Sequence, residues 1–307
     1  ETLWVDKFPS RERASAAALE PRVTAVVVAS RVRLGPAGQS PLDLCLRSAQ
    51  AEPWIDDLVV VDHGNSSEIS SSLRSLQLDR RDVKVVRADE NVSAAAAANL
   101  GAQQARGRWL LFLDPDVVLQ RGAAARMAAA GGGAHTPWIV GGRLTDASGR
   151  ERRAARRGAL NTWSAIAVAL GVGGLRANRK RKDDLTATRV GAVSGAFMLI
   201  PRDDFQALSG FDPEFTAGFA DLDLCRRAAM AGGSVLFQPE ASGVQFAATA
   251  PSRKQAQALA LYAAKSAKTP TEKAFAAIAQ PAIATLIRLK DFVAGRPPTR
   301  CVGELGS

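Results

Sequence analysis

The sequence predicts an α/β protein whose sheet is mostly parallel and covered by helices on both faces. Three observations carry this reading. Four short runs, at 23–29, 57–62, 83–87 and 108–113, are apolar or β-branched almost throughout, as strands buried on both faces are. Helix-like stretches separate them, and strands alternating with helices are the pattern of a parallel sheet. A chain of 307 residues with 47% hydrophobic content can fill a core, which excludes disorder, collagen and a disulfide scaffold.

Taken in order, VTAVVVA at 23–29 is the first strand, followed by a polar loop and a helix from Pro41 to about Gln50. DLVVVD at 57–62 and VKVVR at 83–87 are the second and third strands. The Ala-rich stretch 93–106 is a tightly packed helix, since Ala combines high helix propensity with small bulk. RWLLFL at 108–113 is the fourth strand. After residue 130 the rhythm changes. A Gly131-Gly132-Gly133 turn is followed by a basic stretch, a strand-like run Gly195–Ile200 and a helix Arg202–Leu208. Asp221 to Met230 reads as a helix opened by acids and closed by Ala231-Gly232-Gly233. Residues 251–294 are Ala-rich and helical, and no fixed-period repeat runs through the chain.

The net charge of +10 is concentrated in one place. Residues 150–182 hold ten Lys or Arg against Glu151 alone, so nine of the ten net charges sit there. A nucleic-acid binder is disfavoured. Such proteins spread charge over several elements and interleave aromatics, whereas this segment holds only Trp163. Its layout is a basic cluster, the apolar stretch 159–175 and a second basic cluster, which suits either an anionic membrane surface or a solvated loop. The 17-residue apolar stretch is short and carries Asn161, Thr162 and Ser164, so no membrane span is expected. Three scattered cysteines, Cys45, Cys225 and Cys301, suggest neither a disulfide framework nor a zinc site, and a reducing compartment is the simple expectation. Residues 1–21 have no apolar core of signal-peptide type.

Ligands of such sheets bind beyond the carboxyl ends of the strands. The residues placed there are Ser30, Asp62-His63-Gly64-Asn65, Asp89 to Asn91, and Asp114-Pro115-Asp116. A rim of carboxylates suits a divalent cation or a ribose better than a free phosphate. On an extended backbone Asp114 and Asp116 share a face. Two acids so placed repel unless a cation or donors lie between them, and a hard metal bridging to a diphosphate would supply that. The competing reading is an acidic turn that caps a strand.

The run Glu90-Asn91-Val92-Ser93 through Ala98-Asn99-Leu100-Gly101, then Ala105-Arg106-Gly107 and Leu110 to Asp116, resembles the central block of the family 2 glycosyltransferases. The segments Gly195 to Arg202, Gly210 to Phe215 and Asp221 to Arg227 look like that family's acceptor-side block, in the same order. The resemblance covers about 22–245 and is nearest to the rhamnosyltransferase-like bacterial branch that works on cell-envelope polysaccharides and lipid-linked sugars. It implies a GT-A fold: a Rossmann-like, mixed but mostly parallel sheet flanked by helices, with C-terminal helices. It divides the chain into an N-terminal extension at 1–21, a glycosyltransferase domain at 22–250 and a helical region at 251–307. Within the domain, 22–120 is the nucleotide-sugar half, 150–182 the basic insertion and 190–250 the acceptor half.

The resemblance also implies roles. Ser30, Asp62, Asn91, Asn99 and Asp114 would contact the nucleotide, Asp116 with Asp114 would hold Mn2+ or Mg2+, and Asp221 would be the general base. Gly195, Asp212 and Asp223 would belong to the acceptor or sugar pocket. The implied reaction transfers a sugar, with inversion, from a dTDP-, UDP- or GDP-sugar to a glycan or polyprenyl-linked acceptor. The implied place is the cytoplasm or the inner face of the plasma membrane. Two departures stand out. Ala220 precedes Asp221 where the family commonly has Glu, and Gln245 stands where it commonly has His. An amide is a weaker divalent ligand than an imidazole. A catalytically weak nucleotide-binding relative and a basic membrane-surface adaptor therefore remain as alternatives. A dinucleotide oxidoreductase is disfavoured, because Ala29-Ser30-Arg31-Val32-Arg33 has no Gly-x-Gly-x-x-Gly turn.

Overall fold

A computed structural model describes residues 22–32, 40–152, 154–169, 185–246 and 253–278. The extension at 1–21, the second basic cluster and the region after 278 lie outside the described residues. The elements run β1 (Val23–Ser30), α1 (Pro41–Ala51), β2 (Ile55–His63), α2 (Ser67–Asp79), β3 (Val83–Ala88), α3 (Ala94–Gln103) and β4 (Trp109–Leu113). Then come β5 (Val117–Leu119), α4 (Ala123–Gly131), β6 (Trp138–Thr145), β7 (Arg156–Arg157), α5 (Thr162–Ala169), β8 (Thr188–Arg189), β9 (Ala192–Val193) and β10 (Phe197–Pro201). The last are α6 (Arg202–Ala207), α7 (Ala220–Met230), β11 (Ser234–Gln245) and α8 (Arg253–Ser266), with a further helix at 270–278.

The main sheet has the order β3-β2-β1-β4-β10-β6-β11-β5, with β8 beside β11. β1 to β4 are parallel, whereas β10 runs antiparallel to both β4 and β6. This is the mixed, mostly parallel sheet flanked by helices of a GT-A fold. Because Phe197 at the start of β10 lies opposite Leu113 at the end of β4, the start of β10 opens on the same rim as the ends of β1, β2 and β4. β6 is antiparallel to β10 and parallel to β11, so Thr145 and Gln245 also finish there. β6 thus ends, and β10 begins, at one rim, and β8 of the chain between them pairs with β11.

Apolar residues of β1, β2, β4 and β10 are almost wholly buried, among them Val23, Val27, Val59, Val60, Leu110, Leu111 and Leu199. α1 starts on a capping box: Ser40 Oγ accepts from Leu42 N–H at 3.1 Å, and Asp43 accepts from the Ser40 N–H at 3.2 Å. Ser66 and Ser93 cap α2 and α3 with one bond each, accepting from the Ile69 and Ala96 N–H. The Ala-Arg-Gly motif at 105–107 is structural. Arg106 Nη2 pairs with Asp57 Oδ1 at 2.8 Å, and the Gly107 N–H donates to Thr24 Oγ1 at 2.8 Å. A Cβ at Gly107 would meet the Thr24 nitrogen at 2.5 Å, so only glycine fits. Cys225 is buried in α7, its thiol pushed up to about 12 by desolvation, as a core position requires.

Candidate active site

The first part of the site is a cleft of about 270 Å³ at the ends of β2 and β3, lined by Asp62, Gly64, Asn65, Ser70, Arg87 and Asn91 among others. Asn65 organises it. Its Nδ2 donates to Asp62 Oδ1 at 2.8 Å and to the Ala29 carbonyl at 2.6 Å, while its Oδ1 accepts from Val32 N–H at 2.8 Å. One amide thereby ties the end of β1 to Asp62. Ser30, half-buried, pairs in register with His63 beside this knot. His63 is buried and bonds the Val92 carbonyl through Nε2 at 3.1 Å, the loop role expected of it, and His135 lies exposed. Asn91 is exposed and folds back on Asp89, its N–H donating to Oδ1 at 2.8 Å.

The second part is Asp114-Pro115-Asp116. These residues do not continue the strand as an extended segment. They form a turn in which Val117 N–H donates to the Asp114 carbonyl at 3.1 Å. Pro115 follows the first turn residue, where its fixed φ and missing N–H cost nothing. The two carboxylates converge nevertheless, because Gln245 Nε2 lies 3.5 Å from Asp114 Oδ2 and 3.4 Å from Asp116 Oδ1. Beneath them the buried Cys45 thiol donates to the Asp114 carbonyl at 3.4 Å. Burial, then the charges of Asp114 and Asp116, push that thiol far up, so it is no nucleophile.

The third part is the start of α7. Asp221 accepts Gly195 N–H at 2.9 Å on Oδ2 and Leu222 N–H at 2.9 Å on Oδ1. A Cβ at Gly195 would come within 3.2 Å of the Asp221 Cβ, so glycine permits this approach. The next residue, Ala196, accepts the Asp114 N–H at 3.0 Å. Two adjacent residues therefore connect Asp221 to the acidic turn. The acids sense one another: removal from solvent, then the charges of Asp116 and Asp221, push Asp114 up to about 7.

Three residues assigned to the nucleotide or sugar have their polar groups engaged elsewhere. Asn99 Nδ2 donates to the Phe211 carbonyl at 2.7 Å and its Oδ1 accepts the Phe211 N–H at 2.9 Å, clamping α3 to the 209–215 loop. Asp212 accepts Glu214 N–H at 3.0 Å and pairs with Lys265 of α8. Asp223, 1% exposed, accepts from Arg226 at 2.8 Å and Arg227 at 2.7 Å. Arg227 also donates to the carbonyls of Leu208 and Gly210, so this cluster holds the same loop. Asp221 and Asp223, indistinguishable as two acids in one helical turn, are separated by their partners: one meets the rim, the other the loop. Asn65, Arg87 and Cys45 gained no role from the sequence. Position past a strand end marked Asn65; nothing local marked the other two.

The residues fit a divalent cation. Two carboxylates face one amide whose oxygen and nitrogen exchange by a half-turn of the side chain, which gives an all-oxygen donor set. Among the described residues no group of three or more His, Cys, Asp or Glu side chains is placed to hold a metal, and the side chain that faces both carboxylates is the Gln245 amide.

Sheet order, rim and acidic turn together define a GT-A glycosyltransferase architecture. The chain belongs to glycosyl transferase family 2, whose model matches residues 27–208. Among solved structures it is similar to GalNAc-T7 with UDP, GalNAc and Mn2+, at 17% identity and a TM-score of 0.59. That match covers 91% of this chain and 58% of the other. It is similar to the mannosyltransferase PcManGT from Pyrobaculum calidifontis in complex with GDP-Man and Mn2+, at 17% identity and a TM-score of 0.51, over 92% and 78% of the two chains. It is also similar to S. aureus TarS 1–349 in complex with UDP-GlcNAc, at 11% identity and a TM-score of 0.53, over 86% and 71%. No curated protein matches the sequence closely. Among the described residues no helix is long and apolar enough to cross a membrane.

Proposed function

We propose that the chain is an inverting glycosyltransferase that moves a sugar from a nucleoside diphosphate to a hydroxyl of a glycan or lipid-linked saccharide. The observation that carries this reading is the convergence on one rim of the Asp62 cleft, the Asp114–Asp116 turn and Asp221. The cleft at Asp62, Asn65 and Asn91 would take the base, with Ser30 and Asp114 toward the ribose. Asp114 and Asp116, with Gln245, would hold Mn2+ or Mg2+, which when bound neutralises charge on the leaving diphosphate. Asp221 would accept the proton of the acceptor hydroxyl as it attacks the anomeric carbon. Its two backbone N–H bonds fix the carboxylate and leave lone pairs on both oxygens for that contact. Asn99, Asp212 and Asp223 would act at one remove, by holding the 209–215 loop.

We place the activity in cell-envelope polysaccharide synthesis, in a rhamnosyl- or hexosyltransferase branch, with a dTDP-, UDP- or GDP-sugar as donor. The site is proposed to work in the cytoplasm, with the 150–182 segment drawn to the anionic inner face of the plasma membrane. The domain would span 22–250. In support of the membrane placement, β6 ends and β10 begins at the site rim, and the basic segment lies between them in the sequence. A second reading, a nucleotide-binding relative with weak transfer, is favoured by Ala220 and Gln245. Calorimetric titration with UDP, GDP and dTDP, with and without Mn2+, tests the main proposal. At least one nucleotide should bind, and more tightly with the cation. Failure of all three in both conditions would sink it.

A further inference from the structure

The described residues carry one contiguous exposed apolar face that the site does not use. Trp163 of α5 is 44% exposed, Phe275 of the 270–278 helix is 50% exposed, and their rings lie 4.9 Å apart. Ile278, one helical turn beyond Phe275, is 69% exposed. Single exposed apolar residues are ordinary; a Trp, a Phe and an Ile gathered from two separate segments are not. Lys268 and Lys273, both exposed, lie just before and within the 270–278 helix with Glu272 between them, and Trp163 lies in sequence within the stretch that holds nine of the ten net positive charges.

A cavity of about 320 Å³ adjoins the same segments, bounded by the residues before α5, by α7 and by α8. Leu160, Leu222, Met230 and Tyr262 give it apolar walls, and Arg226 and Lys268 give it cations. Arg226 Nε is buried with no partner among the described residues. Apolar walls with cationic donors suit an amphiphile with an anionic head.

We propose that the face made by α5 and the 270–278 helix docks on an anionic lipid bilayer, with Trp163, Phe275 and Ile278 entering the headgroup boundary and the lysines meeting lipid phosphates. The chemistry is that of an interfacial anchor. Aromatic rings settle at the boundary, and neighbouring cations add an attraction that salt screens. The proposal deepens the functional reading, since α5 follows β6, whose end lies at the site rim, and it rests on that reading only for its purpose.

The test uses the full chain and sedimentation with vesicles of phosphatidylcholine containing 30% phosphatidylserine, beside pure phosphatidylcholine. The wild type should bind the mixed vesicles, weakly at high salt, and leave the neutral ones. Trp163→Ala with Phe275→Ala should reduce binding about tenfold or more. Ile278→Asp, at a position too exposed to disturb packing, should do the same without change in thermal stability, and Lys268→Gln with Lys273→Gln should reduce the salt dependence. Equal sedimentation of wild type and Ile278→Asp would overturn the proposal. So would a wild type that ignores anionic vesicles but runs as a dimer dispersed by Ile278→Asp, which would make the face a contact between copies. Nucleotide titration of the same preparations keeps the two readings apart: vesicle binding without nucleotide binding would remove the transferase and leave the anchor.

Discussion

Asp221 and Asp223 stand two positions apart, yet one meets Gly195 at the rim and the other is enclosed by Arg226 and Arg227. Their variants should therefore fail in different ways. Asp221→Asn should lower the transfer rate about 10²–10⁴-fold while nucleotide affinity holds, because general-base catalysis is worth that much. Steady-state kinetics beside calorimetry checks this, and transfer at the wild-type rate would exclude the base assignment. Asp114 has its own signature in pH. Its folded value of about 7 lies above the ordinary 3.8, so between those values the native carboxyl keeps a proton that the unfolded chain has lost. Its contribution to stability is present at low pH and declines as pH rises toward 7. A cation needs the carboxylate, so Mn2+ should raise Tm more at pH 8 than at pH 6, with proton release on binding at the lower value. Equal shifts at both would contradict the crowding of Asp114. Asp62, Asp114, Asp116 and Asp221 were legible as candidates because strand ends and helix starts can be located in a sequence. The hydrogen bonds of Asn99 and Cys45 were not, because each is made to a residue far away in the chain, and although Asp223 pairs locally with Arg226 and Arg227, what that cluster holds, the carbonyls of Leu208 and Gly210, is not local.

Among the elements, the first four strands follow from apolar continuity, and the structure extends the first three by one to three residues and starts the fourth one residue later, at Trp109. β6 and β11 were not legible. β6 contains Gly141 and Gly142, which break its apolar run, yet a Cβ at either would collide with Val193 or Phe197 at 2.4 and 2.1 Å. The glycines make room for large neighbours instead of bending the chain. β11 carries Pro239 and Glu240 at the point where its pairing with β6 shifts register, so its pattern breaks in the middle. The packing of α3 against β1 and β2 yields a further prediction. A Cβ at Gly101 would lie 2.6 Å from Val26 Cγ1 and 2.8 Å from Val61 Cγ2. Gly→Ala in a helix interior gains up to about 1 kcal/mol, whereas overpacking a filled core costs about 1–3 kcal/mol. Gly101→Ala should therefore lose about 1 kcal/mol net in urea unfolding, and a more stable variant would mean that α3 can move away from the sheet.

Taken whole, the molecule puts the Asp62 cleft, the acidic turn and Asp221 on a single rim, while nine-tenths of its net charge sits in the sequence segment 150–182 that follows β6. Ligand binding should stabilise the entire sheet, since β1, β2, β4 and β11 end, and β10 begins, at the rim that holds the site. A nucleoside diphosphate with Mn2+ at a hundred times its Kd should add about 2.7 kcal/mol. Thermal melts with nucleotide alone, cation alone and both check it, and strictly additive shifts would show that the two do not share a site. The reversed direction of β10 has a wider consequence. A strand that begins at the rim can receive any length of chain between β6 and itself without disturbing the pairing of β1 to β4. The connection between β6 and β10 is thereby free to differ in length while the parallel core of β1 to β4 stays as it is, so the rim can be remodelled without rebuilding the sheet beneath it.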